Sequence, residues 1–396
     1  MRLAKLIVRA GWHERNQCPV QTKVALGADV ALDKLALWDL TSDEPVSVQA
    51  WPAEDGQVNL AWVVSNVWAG DVRVYELRYG PEVEPVDVDG VKLVETEEGI
   101  LEVTVEGELF TRYHFGADLI RPFLYPVLVN DGLGVTRNWP MVQGVPGEKT
   151  DHPHHTGIYT AQGSVNGVNN WDNEPNHGYI IHRGFTRIYG GPVAGGLTEA
   201  LEWTDPERKV LMTETRRMAF YATEPHARVL DYSVTFHASA GQVTLGDTKE
   251  GGLVAVRVAS SMDVTGEREG GRFQTATGAI NEKESWGKRA AWCDYSGPVS
   301  GEWVGVALMD HPDNPRYPTY WHVRNYGLMT INPIALHDYT GNPNNRWDLI
   351  IPAGESAAFN YRVFVHDGDT EEAQVSEHWH NWVNPPEVEV QLAVAK

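Results

Sequence analysis

The sequence predicts an all-β protein: a small N-terminal β-sandwich, then a large antiparallel β-sandwich, with one short C-terminal helix. Three observations lead there. Short runs alternate apolar and polar residues with a period of two along most of the chain. Turn formers separate those runs, among them 38 Gly and 23 Pro. A period of 3.6 residues that lasts three turns occurs only near the C-terminus.

In order, residues 1–85 carry LAKLIVRA, TKVALGAD, LALWDL, VSVQAW, VNLAWVVS and VRVYELRYG, enough short strands for a small sandwich. The acidic, proline-bearing GPEVEPVDVDGVK then reads as a connection, which sets the expected domains at 1–85 and 86–396. KLVETEEG, ILEVTVEGELFTRYHF and FLYPVLVN continue as strands. YIIHRGFTRIYGG, KVLMTETRRMAFYA and ARVLDYSVTFHAS are the long, aromatic-rich strands of a large antiparallel sandwich. The helix is expected in TEEAQVSEHWHNWVNPPEV, with Thr370 as N-cap, Glu371 and Glu372 in its first turn and Pro385 as its stop.

Composition excludes several functions. Against 54 acidic residues stand 32 basic ones, a formal charge of −22, which repels nucleic-acid backbones and anionic membranes. Cys18 and Cys293 form neither a metal motif nor a disulfide framework and suit a reducing compartment. The N-terminal stretch lacks the apolar core of a signal peptide, and no run of about 18 apolar residues could span a bilayer. The expectation is a soluble, cytoplasmic protein; a homo-oligomer is compatible with it. There is no phosphate-binding loop, no dinucleotide fingerprint and no nucleophile elbow.

Chemistry concentrates in Asp151–Arg183, DHPHHTGIYTAQGSVNGVNNWDNEPNHGYIIHR, which holds five of the 15 histidines. DHPHH packs one carboxylate and three imidazoles into five residues, a density of near-neutral titration that a solvated loop does not need. If extended, this segment turns His152 and His154 to one side and His155 to the other, a start for a metal site or for a base with a tuning neighbour. Loop capping is the plain alternative for any one histidine beside Pro. Downstream, Asn169, Trp171 and Asp172 belong to a long polar loop of the kind that compact domains usually reserve for function, and His182 follows in the strand-like YIIHRGFTRIYGG.

Other constellations follow. Glu250 and Arg257 in KEGGLVAVRVASSM lie on opposite faces of a regular strand unless a bulge near Gly251 and Gly252 resets the parity. NEKESWGKRAAWCDY offers Asn281, Glu282, Trp286 and Trp292, with a solvated charged face as the alternative. DHPDNPRYPTYWHVRNY repeats Asp-His-Pro and supplies His311, Asn314, Trp321 and His322, and Asn332 follows. Trp38, Trp62 and Trp203 suit a core, whereas Trp171, Trp286, Trp292 and Trp321 stand in polar runs. There their flat faces suit the C–H face of a sugar while Asn, Asp, His and Arg meet its hydroxyls.

RPFLYPVLVNDGLGVTRNWPM, the DHPHH stretch, KEGGLVAVRVASSM, INEKESWGKRAAWCDYSGP and DHPDNPRYPTYWHVRNYGLMTINPIALHD resemble a soluble family labelled "methane oxygenase PmoA". AGWHERNQCPV near the start is similar to that family's opening. Methane oxidation is set aside, because the methane monooxygenase subunit of that name is a membrane protein. The resemblance implies kinship with carbohydrate-processing proteins of the galactose-mutarotase type, whose supersandwich also serves lyases and hydrolases. In such enzymes a histidine and a carboxylate act as acid and base at a sugar. Here those parts would fall to His154 or His155 and to Glu250 or Glu282.

Three functions are therefore expected to compete. The first is an enzyme acting on a glycoside or modified sugar, by hydrolysis or elimination, through histidine and carboxylate; its small sugar or oligosaccharide would meet the residues named above. The second is a metal-dependent enzyme with a divalent ion on His152 and His154 and a third ligand from His182, His311 or His322. No other cofactor is indicated. The third is a carbohydrate-binding protein without catalysis.

Overall fold

Alternation in the strand Arg2–Arg9 sends Ala4, Leu6 and Val8 inward and leaves Arg2 and Arg9 in solvent. It lies in a five-stranded sheet with Val72–Arg78, Ala36–Asp39 and Glu44–Val46 on one side. Its other neighbour is Glu387–Leu392, so the N-terminal sandwich takes its edge strand from the far end of the sequence. A three-stranded sheet, Cys18–Val24, Val58–Val64 and Gln49–Pro52, closes this core around Leu37, Leu60, Trp62 and Tyr75. The computed structural model describes residues 1–264 and 270–393.

The rest of the chain builds two larger antiparallel sheets. One runs Trp321–Val323, Leu328–Ile331, Gly251–Arg257, Ile158–Gln162, Phe123–Val129, Glu108–His114, Ile100–Val105 and Val91–Glu97, with Leu133–Gly134 folded back on Phe123–Val129. The other runs Tyr179–Tyr189, Ala194–Thr204, Val210–Tyr221, Ala227–His237, Ser356–Asp367, Glu302–Asp310, Trp292–Val299 and Arg272–Thr275. A single apolar cluster fills the space between them, with Leu124, Val127, Val254 and Val256 from the first and Trp203, Phe236, Leu308 and Val363 from the second. The all-β expectation therefore holds, and a short helix, Val375–Val383, stands near the C-terminus.

That helix begins later than the sequence suggests. Thr370 does not cap it, because its hydroxyl donates to Asp294 Oδ2 at 2.7 Å in a buried contact. Gln374, at φ 50°, takes the N-cap position instead. Two single-turn helices, Asn281–Ser285 and Leu336–Thr340, are additions that no helical period announced.

Two strands position the candidate site. Ile158–Gln162 and Gly251–Arg257 are buried at every position, since both faces of the sheet are covered here. One face contributes to the inter-sheet core. On the opposite face Phe123, Tyr125, Tyr159, Ala161, Trp171, Ala255 and Leu328 form a second apolar layer, and the histidine segment rests on it. Gly251–Arg257 also carries a register shift between Gly252 and Ala255, so a bulge does interrupt its parity.

Candidate functional site

DHPHH is a turn, not an extended segment. Pro153 and His154 occupy its centre, and the backbone N–H of His155 donates to the carbonyl of His152 at 3.0 Å. Proline's fixed φ suits the second position of such a turn, and His152 enters it at φ 47°. This geometry overturns the side-by-side pairing of His152 with His154. His152 instead stacks on His155, ring centroids 4.8 Å apart and nearly parallel, and His154 crosses both edge-on. Tyr326 covers the other face of His152 at 5.2 Å.

Asp151 anchors the turn. Its Oδ1 accepts from Arg137 Nη1 at 2.6 Å and from Arg257 Nη2 at 2.9 Å, and both guanidinium groups are buried. Burial would raise this carboxyl, but the His152 hydrogen bond and the charges of Arg257 and Arg137 outweigh it and hold it well below the usual carboxylate range. Arg257 Nη1 also donates to His155 Nδ1 at 3.2 Å. A guanidinium only donates, so Nδ1 is the bare nitrogen and the proton of His155 sits on Nε2. Burial, then the neighbouring His154 and Arg257, push His155 far below its ordinary value, and it is neutral.

His154 differs from its neighbours. Among the described residues no protein hydrogen bond engages its ring nitrogens, while Trp171 lies against the ring at 5.8 Å. Burial brings its pKa down to about 4, helped by Arg121 and His152; the carboxylates Asp172 and Glu250 act in the opposite direction. His154 is thus a half-buried, neutral imidazole with free nitrogens in the field of two carboxylates. Asp172 is held by Asn169, whose Nδ2 donates to its Oδ2 at 2.6 Å. Glu250 is half-exposed and paired with Lys249. Arg121, buried beneath the loop, fixes its shape by donating to the carbonyls of His154, Asn170 and Asp172. Burial lowers that guanidinium to about 10, which still leaves it charged at neutral pH.

The sheet brings His322 into the same field. It lies on Trp321–Val323, its Nδ1 donates to the carbonyl of Lys249 at 2.7 Å, and burial lowers it to about 4 against the opposing charge of Glu250. Asn332 donates to the carbonyls of Thr248 and Lys249 and so fixes the backbone that carries Glu250. Trp286 stands edge-on to His322 at 6.2 Å. Glu282 pairs with Arg324 at 3.0 Å, and Arg324 lies over Tyr326, which connects this carboxylate to the rim of the histidine stack. Asn281 sits beside it at φ 56°, with its Oδ1 accepting the backbone N–H of Phe273.

Other residues singled out in the sequence lie elsewhere. His182 pairs with Glu199 and packs between Phe115 and Phe185 in the eight-stranded sheet's first strand. His311 meets Asp313 and Trp382, and Asn314 spends its side chain on Asp310 and the backbone of Asn360. Trp292 and Trp321 are core residues, and Trp171 is covered by His154 and His155, so none of these three offers an open face. His182 and His311 make these separate contacts, and among the described residues no three His, Cys, Asp or Glu side chains converge as metal ligands. The proposed triad on His152 and His154 is not assembled.

The sequence does not mark Arg121, Arg137 or Tyr326 as site residues, and it offers Arg324 only as one member of DHPDNPRYPTYWHVRNY. Only the fold brings these four side chains to the histidine turn. Among the described residues, no helix is long and apolar enough to cross a membrane.

No curated protein matches the chain. Among solved structures, a glycosyl hydrolase family 38 protein from Enterococcus faecalis aligns with a TM-score of 0.46 and 10% identity, over 98% of this chain and 47% of that one. An alpha-mannosidase from Enterococcus faecalis V583 aligns with a TM-score of 0.44 and 10% identity, over 98% and 46%. The chain spans about half the length of each. One family model matches residues 100–380, which take in the histidine turn, Glu250 and His322, and the chain belongs to that family, the family of unknown function DUF6807.

Proposed function

We propose that the protein is a carbohydrate-active enzyme in which His154 exchanges a proton with a sugar substrate or its attacking water. One observation carries the reading: a neutral imidazole, whose nitrogens meet no hydrogen-bond partner among the described residues, is held over an apolar floor in the electrostatic field of the carboxylates Asp172 and Glu250. An imidazole in that state is a base at neutral pH, and once protonated it is stabilised by both carboxylates. The arrangement fits hydrolysis, with His154 activating water, and it fits elimination, with His154 removing a ring proton. His155, Arg257, Arg137 and Asp151 position the turn and do not touch the reacting atoms.

Wild type and His154→Ala would be incubated with oligosaccharides, uronate-containing glycans and oxidised glycosides, with products read by mass spectrometry. Turnover by wild type that falls about 10²–10⁴-fold in the variant is expected, the usual worth of a general acid–base group. Sugar binding without turnover by wild type on any substrate would replace this reading with a binding protein. Equal turnover by the two proteins would remove His154 from the chemistry.

A further inference from the structure

His322 presents a hydrogen-bonding pattern that the protein leaves half complete. The residue is 3% exposed. The Lys249 carbonyl can only accept, so the hydrogen bond at 2.7 Å places the imidazole proton on Nδ1. Nε2 is then a bare lone pair, buried without a partner among the described residues. The tautomer is held from a second direction, because Asn332 donates to the same Lys249 carbonyl and keeps it aimed. Burial favours the uncharged ring, so Nε2 remains an acceptor at neutral pH.

Beside it, Trp286 shows the opposite deficit. Its Nε1–H can only donate and is likewise buried without a partner among the described residues. The two rings meet edge to face at 6.2 Å, and Tyr339 closes the far side of Trp286 at 5.3 Å. A buried acceptor and a buried donor on adjoining rings make a specific demand. A carboxylate satisfies only the donor, and an ammonium only the acceptor. A hydroxyl satisfies both, accepting from Trp286 and donating to His322. The His322 hydrogen bond to the Lys249 carbonyl ties this ring to the residue before Glu250, and the Glu250 charge acts on His322 as it does on His154.

We propose that Trp286 Nε1–H and His322 Nε2 form a recognition pair for one hydroxyl of the substrate, which sets specificity beside the reacting group. This rests on the reading of the site as a sugar site and adds to it the polar group that the site selects. No bond is made or broken by the pair. A pocket built to hydrogen-bond a hydroxyl rejects the deoxy analogue strongly, because both buried groups then stay unpaired.

The test uses full-length protein labelled with nitrogen-15 and a panel of methyl hexopyranosides, their uronates and their monodeoxy derivatives. The side-chain signals of His322 and Trp286 are followed by NMR, and affinities are followed in wild type, Trp286→Phe and His322→Asn. The expected result has three parts: the free protein shows His322 protonated on Nδ1; a binding sugar moves both signals; and one monodeoxy position costs about 100-fold in wild type but little in Trp286→Phe, which keeps the ring and loses the donor. His322→Asn keeps a donor for the Lys249 carbonyl and loses the Nε2 acceptor. If either variant fails to fold, the wild-type signals and the deoxy series decide.

A proton found on Nε2 overturns the proposal. So does sugar binding or turnover that leaves both signals unmoved, or that tolerates every monodeoxy analogue, and in those cases the assignment to His154 stands. If no sugar of the panel binds at any site, the sugar reading falls and the pair falls with it.

Discussion

At the scale of single residues, Asp151 does more for the site than its exposure implies. Its side chain is 38% exposed, yet it neutralises Arg137 and Arg257, which are 0% and 1% exposed. Removing one partner of a buried ion pair leaves an uncompensated charge, which costs more than the pair contributed. Asp151→Ala is expected to destabilise the protein by about 3 kcal/mol, the lower end for such breaks because the carboxylate itself is partly hydrated. Urea unfolding at pH 7 measures it, and a loss below about 1 kcal/mol would mean that solvent already compensates both arginines. The sequence made the DHPHH density legible, since five adjacent residues need no folding to be seen together. It could not show that Asp151 would face two arginines 14 and 106 positions away. Nor could it show that His154 alone would keep free nitrogens, because that depends on which neighbours the turn delivers to His152 and His155.

Among elements, the turn and the strand after it are joined by a glycine with no freedom to change. Gly157 has φ +68°, and a Cβ there would meet the Leu124 carbonyl oxygen at 2.1 Å. Both the left-handed backbone and the close approach require glycine. Gly157→Ala is expected to cost at least about 2 kcal/mol and to displace the DHPHH turn from the sheet. Thermal unfolding checks the first part, and the NMR signals of His152 and His155, which stack only in the intact turn, check the second. An Ala variant with wild-type stability and unshifted imidazole signals would contradict both. Alternating strands such as Arg2–Arg9 were legible because one face meets solvent. Ile158–Gln162 and Gly251–Arg257 do not alternate, since a second apolar layer covers their outer face, so their central place was not legible. The pairing of Glu387–Leu392 with Arg2–Arg9 was hidden for another reason: contacts between the ends of a chain leave no local pattern. It makes the first strand dependent on the last. Deleting residues 386–396 is expected to raise amide exchange across Arg2–Arg9 at least about tenfold while the large sandwich stays protected. Unchanged exchange in Arg2–Arg9 would show that the pairing with Val72–Arg78 suffices.

Over the whole molecule, buried histidines set how stability depends on pH. His378 is buried against Phe364, ring centroids 3.8 Å apart, and burial lowers it to about 3, helped by His366 and Arg362. In the unfolded chain it titrates near 6.5. Between those values the unfolded state binds the extra proton, so this stability is complete above about pH 6.5 and is lost as pH falls toward 3. His154 and His322, each lowered to about 4, act with the same sign. Asp310 acts against them: burial raises it to about 7, although it accepts from Asn314 and from the Thr319 backbone, and its stability is lost as pH rises from about 4 to 7. Discharging part of a −22 surface at acid pH also opposes the histidines by relieving repulsion. A total slope would therefore mix several effects, whereas the difference between wild type and His378→Leu isolates one. That variant keeps an apolar side chain against Phe364 and cannot take up the proton. Its unfolding free energy, from urea titrations at pH 4.5, 5.5 and 6.5, is expected to fall less steeply toward acid than that of wild type. The difference should approach about 1.4 kcal/mol per pH unit well below pH 6.5. Parallel slopes would mean that His378 takes up its proton equally in the folded and unfolded states, and the acid sensitivity would then belong to the other histidines that burial lowers, His154, His155 and His322 at the candidate site among them.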